Sequence, residues 1–83
     1  MYTLLYSNTA LKQLGKLEKD IQQRIFITLE RLRIRPESCD IKKLVGMQGF
    51  RLRVGDYRVI FDINNEELHI FIIEVGHRKN IYN

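Results

Sequence analysis

The chain has 83 residues, room for one domain with a modest core, since domains of this size bury only about 60–65% of the surface their unfolded chains expose. Apolar residues at 45% and charged residues at 29% exclude a disordered chain, and a single cysteine, Cys39, excludes both an internal disulfide and a zinc site of its own. Fourteen Lys and Arg against ten Asp and Glu give a net charge of +4, a mild bias toward anionic partners that only the placement of the charges can sharpen. There is no run of 18 apolar residues and no basic segment ahead of an apolar one at the amino terminus. The expectation is a soluble, cytoplasmic protein with no membrane association.

In chain order, Tyr2 to Tyr6 is β-prone and ends at Ser7-Asn8, residues suited to a turn or a helix N-cap. From Thr9 onward Ala10, Leu11, Leu14 and Leu17 recur at helical spacing opposite Lys12, Gln13 and Lys16, predicting a short amphipathic helix weakened by Gly15. Asp20 is the predicted N-cap of a second helix, with Ile21, Ile25, Leu29 and Leu32 on one stripe, Phe26 broadening it and Pro36 ending it. Each helix has one apolar face, which suggests a helical hairpin laid on a sheet. Glu37 to Gly49 reads as a polar connection with room for a short strand. Three strands follow, Phe50–Val54, Tyr57–Ile63 and Leu68–Val75, joined by turns at Gly55-Asp56 and Asn64-Asn65. The expected fold is α+β with the order β-α-α-β-β-β, a helical hairpin on one face of a small antiparallel-rich sheet, and residues 1–83 forming a single domain.

Strand alternation sends Phe50, Leu52 and Val54 to one face and Arg51 and Arg53 to the other. Arg58 begins the next strand, and His77, Arg78 and Lys79 follow the last one. The bland alternative is a solvated face whose arginines pair with Asp56, Asp62 or Glu74. Against it stands the choice of arginine, whose planar fork matches phosphate oxygens. Lys42, Lys43 and Lys79 are candidates for further contacts to the same polyanion, and Tyr82, in the polar tail, for stacking on a base or reaching a ribose. His69, within a strand, is assigned a structural role. His69 and His77 are not at ligand-pair spacing and no carboxylate cluster joins them, so no metal site is expected. Nor is there a glycine-rich phosphate loop.

The segments GFRLRVGDYRVIFDI (Gly49 to Ile63) and IIEVGHRKNIY (Ile72 to Tyr82), with the helical hairpin before them, resemble the RelE/ParE superfamily of toxin–antitoxin toxins over nearly the whole chain. The resemblance implies a RelE-like endoribonuclease, an mRNA interferase that enters the A site of a 70S-type ribosome, cleaves mRNA and is held inactive by a cognate RelB-like antitoxin. Carried over by position, Arg51 and Arg53 match the basic strand pair, which is lysine in RelE itself. Arg58, Arg78 and Tyr82 match the arginine of the next strand, that of the final loop and the near-terminal tyrosine. The implied chemistry is attack by a ribose 2′-OH on its own 3′-phosphate, with no metal or cofactor. Tyr82 would orient or deprotonate the hydroxyl, and His77, beside Arg78, is a candidate acid because arginine hardly releases a proton. The alternatives are a ParE-like inhibitor of DNA gyrase that cleaves nothing and a degenerate, non-toxic binding module.

Overall fold

A computed structural model describes residues 1–79. Strand β1 (Thr3–Tyr6) leads into helices α1 (Asn8–Gly15) and α2 (Lys19–Ile34), and a single 3-10 turn (Pro36–Ser38) precedes the short strand β2 (Ile41–Lys43). Strands β3 (Phe50–Val54), β4 (Tyr57–Asn64) and β5 (His69–His77) complete a five-stranded sheet in the order β1-β5-β4-β3-β2. β1 runs parallel to β5 and the other three pairings are antiparallel. The expected order is found, with β2 as the short strand in the polar connection. No helix among the described residues is long and apolar enough to cross a membrane.

Ser7 caps α1: its Oγ accepts from the Ala10 N–H at 2.9 Å and donates to the Ile73 carbonyl at 2.7 Å, fixing the helix start to β5. α2 begins earlier than the sequence suggests. Glu18 is its N-cap, without a side-chain bond to the helix, and Asp20 lies in the first turn, where a carboxylate complements the helix dipole. Gln22 Nε2 donates to the Leu14 carbonyl at 2.6 Å and closes the hairpin.

Ala10 and Leu14 of α1 and Ile25, Leu29 and Leu32 of α2 are buried against Leu52, Val59, Phe61, Ile70, Ile72 and Val75 of the sheet. Phe26 and Leu11 depart from the expected stripes, being 43% and 53% exposed. Each follows a buried residue, Ile25 or Ala10, by one position, and the 100° turn per residue carries it off the narrow face that meets the sheet. Phe61 is fully buried and stacks on Phe50 with ring centroids 5.6 Å apart.

One irregularity governs what the sheet presents. Ile60 pairs with Glu74 but Phe61 pairs with Ile72, so β5 carries an extra residue, Ile73, at a bulge. Strict alternation from Ile70 and Ile72 would turn Glu74, Gly76 and position 78 inward. The bulge resets the phase: Val75 is buried and Gly76 pairs with the outward Arg58.

Candidate functional site

The face of the sheet away from the helices is basic at one end. Arg53 and Arg58 are directly opposed in the β3–β4 register, and Lys42 is opposed to Arg51 in the β2–β3 register. Like charges placed this way disfavour the sheet, so packing alone gives no reason for them. Asp40, Lys42, Arg51, Arg53 and Arg58 line a cleft of about 200 Å³, with four cations to one carboxylate. Asp40 has a structural part as well, its carbonyl accepting from the Arg53 N–H at 3.1 Å.

Arg78 joins this group from the end of β5. Its N–H donates to the Asp56 carbonyl at 2.8 Å, which ties the segment leaving β5 to the β3–β4 turn. Desolvation, followed by the charges of Arg51, Arg53 and Arg78, holds the Arg58 guanidinium below its ordinary pKa. Arg58, half-buried, is therefore the electrostatic centre of four guanidinium groups, and it remains charged throughout the working pH range. The cross-strand pairing to Asp56, Asp62 or Glu74 is not formed by Arg53, Arg58 or Arg78. Among the described residues the ion pair present is Glu30–Arg33 at 2.9 Å, on α2.

The structure separates other candidates from this cluster. His77 pairs with Tyr57, whose register neighbour Val54 is a core residue, and its ring meets Tyr57 edge-on with centroids 5.3 Å apart. It lines a groove with Gln13, Lys16 and Leu17 on the helix side, and its Nδ1 accepts from the Lys79 N–H at 3.2 Å. His77 thus lies on the opposite face from Arg58, because the same bulge that turns position 78 outward turns 77 inward. Lys43 pairs with Phe50 and so has the helix-side phase at the sheet edge, whereas Lys42 shares the arginine face. Lys79 is exposed just beyond β5, and Tyr82 lies outside the described residues. Among the described residues no group of three or more His, Cys, Asp and Glu side chains is placed to hold a metal ion.

Two features are not evident from the motifs alone. Asp40 carries no signal of its own, because its place in the cleft depends on the β2–β3 pairing. The bulge has a visible signal, since unbroken alternation from Ile70 and Ile72 would turn the charged Glu74 inward while the apolar Val75 beside it would face out.

The model of the family described as the ParE toxin of type II toxin–antitoxin system, parDE, matches residues 4–82. The chain belongs to the RelE/ParE superfamily of toxins. Toxin RelE3 of Methanocaldococcus jannaschii is 32% identical over 84 residues, spanning 95% of this chain and 93% of its own. Toxin RelG of Mycobacterium tuberculosis is 32% identical over 85 residues, spanning 98% and 95%. Among solved structures, the archaeal RelE-RelB complex from Pyrococcus horikoshii OT3 superposes with a TM-score of 0.81 at 29% identity, covering 96% of this chain and 98% of that one. The isolated E. coli RelE toxin gives a TM-score of 0.73 at 28% identity, covering 93% and 84%. The RelE/ParE fold accounts for the two-helix layer and the mixed sheet of this toxin, and the family match takes in every helix and nearly all of the sheet.

Proposed function

We propose that this toxin is a ribosome-dependent endoribonuclease that cleaves mRNA in the ribosomal A site and so inhibits translation. The observation that carries the proposal is the convergence of Arg51, Arg53, Arg58 and Arg78 on one sheet face, centred on Arg58. Ribosome dependence rests on the likeness to RelE toxins. A RelB-like antitoxin is the proposed regulator, supported by similarity to RelE chains solved in complex with RelB.

In the proposed reaction the 2′-oxygen of a ribose attacks the adjacent 3′-phosphorus while the bond to the 5′-oxygen of the next nucleotide breaks. The products are a 2′,3′-cyclic phosphate and a free 5′-hydroxyl. The 2′-OH proton leaves to a base and the departing oxygen gains one. Arg51, Arg53 and Arg58 stabilise the charge that builds on the pentacoordinate phosphorus, and Arg78, just beyond β5, adds a further contact to the phosphate. With no carboxylate among the described residues paired to Arg58, its donors stay available to the phosphate. Tyr82 is the proposed group for orienting or deprotonating the 2′-OH. His77 has no part in this scheme, since its ring faces the helices.

The ParE name of the matching family favours a second reading, inhibition of DNA gyrase through protein contact with no strand cleaved. A programmed-ribosome assay separates the two. An mRNA with a single 2′-deoxynucleotide at the scissile position should survive while its all-ribose counterpart is cut. Cleavage of both would refute 2′-OH attack, and survival of both would favour the gyrase reading.

A further inference from the structure

A second basic hollow of about 460 Å³ lies between α2 and the β3–β4 turn, lined among others by Arg24, Thr28, Arg31, Ser38, Arg53 and Gly55. Arg24 and Arg31 are seven residues apart, nearly two helical turns, and so share a face of α2. Thr28, between them, donates its hydroxyl to the Arg24 carbonyl at 2.9 Å, and Ser38 donates to the Arg35 carbonyl at 2.8 Å. Both hydroxyl protons are thereby committed, which leaves the guanidinium groups as the free donors toward a ligand. Neither Arg24 nor Arg31 forms an ion pair with a carboxylate among the described residues.

Gly55 links this hollow to the arginine cleft. It holds φ +60°, and a Cβ there would stand 3.0 Å from Arg24 Nη2, so the Arg24 guanidinium lies close over the turn. The carbonyl of the same glycine accepts from Arg53 Nε at 3.4 Å. Arg53 lines both hollows, as does Asp40, so the two are contiguous around β3.

We propose that the Arg24, Arg31 and Arg53 hollow is a second phosphate subsite, which holds the RNA backbone next to the phosphate bound in the Arg58 cleft. Two adjoining arginine hollows that share Arg53 and Asp40 suit a chain carrying regularly spaced anions, and arginine's fork meets two oxygens of one phosphate. The subsite rests on the RNA reading given above. It adds a contact that carries no base information and sets the register of the strand over the cleft.

The test is fluorescence anisotropy of a labelled single-stranded RNA decamer, fully 2′-O-methylated so that it cannot be cut, titrated with the full-length toxin across a salt series. Arg24→Gln/Arg31→Gln should weaken binding by about tenfold or more and flatten the log affinity against log salt slope by about 0.7, the value for one phosphate of a single strand that is no longer neutralised. Lys12→Gln/Lys19→Gln removes the same charge from elsewhere and should keep the wild-type slope. Arg24→Lys/Arg31→Lys, which retains the charges, should keep it too. An unchanged slope in the arginine-to-glutamine variant, or an equal loss in the lysine-to-glutamine control, would overturn the subsite while leaving the Arg58 cleft untouched. Failure of the wild-type toxin to bind the decamer at all would also overturn the subsite, since a backbone site of this kind must hold free RNA, and would leave the cleavage reading to the programmed-ribosome assay.

Discussion

Arg58→Ala is expected to lower mRNA cleavage on programmed ribosomes by about 10²–10³-fold in kcat, the effect of removing one preorganised donor from a developing oxyanion. The loss should fall on kcat more than on KM, because Arg51, Arg53, Arg78 and Lys42 continue to attract the phosphate while the group at their centre is missing. Stability should move the other way or stay unchanged. Arg58 is half-buried, stands opposite Arg53 in register and is disfavoured by desolvation and three like charges, so its removal relieves repulsion in the folded state. An active-site charge held against its own electrostatics is a common form of trade between stability and activity. Arg58→Lys should recover part of the rate, since it restores the charge and lacks the fork. Wild-type cleavage by Arg58→Ala would sink the assignment of Arg58 as the central phosphate-binding group.

Phe61→Ala is expected to cost about 3–5 kcal/mol, the range for deleting a buried phenyl ring. The side chain is fully buried, stacks on Phe50 and sits among Leu52, Val59, Ile70 and Ile72, which cannot all close on the space it leaves. A small domain has about 5–15 kcal/mol of stability in total, and each kcal/mol shifts its Tm by about 4–8 °C. The variant should therefore melt at least about 12 °C below wild type, with a lower urea midpoint and an unchanged slope. Phe61 also lies at the bulge that turns position 78 outward, so activity should fall even at temperatures where the variant remains folded. A stability within about 1 kcal/mol of wild type would show that the ring is not the keystone of the core.

Much of this arrangement is legible in the sequence because period-two and period-3.6 patterns are strong in this chain. FRLRV separates Arg51 and Arg53 from the core residues at once, and the structure returns β3 as Phe50–Val54. Leu14, Ile25, Leu29 and Leu32 announce their burial by spacing alone. What pattern cannot give is pairing between distant segments. The parallel docking of β1 on β5 and the place of Asp40 beside the arginines are set by tertiary contacts that leave no periodic mark. Phase is the subtler loss. His77 and Arg78 are adjacent in sequence and look interchangeable as site residues, yet one inserted residue at Ile73 fixes which of them shares the arginine face.

Primer-extension mapping of cellular mRNAs after induction of the toxin, with Arg58→Ala as the control, tests the arginine face as an RNA-cleaving site most directly. Discrete new 5′ ends within translated codons, absent from the Arg58→Ala culture, are the expected result. Intact mRNA accompanied by gyrase-dependent DNA breaks, or new ends of equal strength in the control, would contradict it.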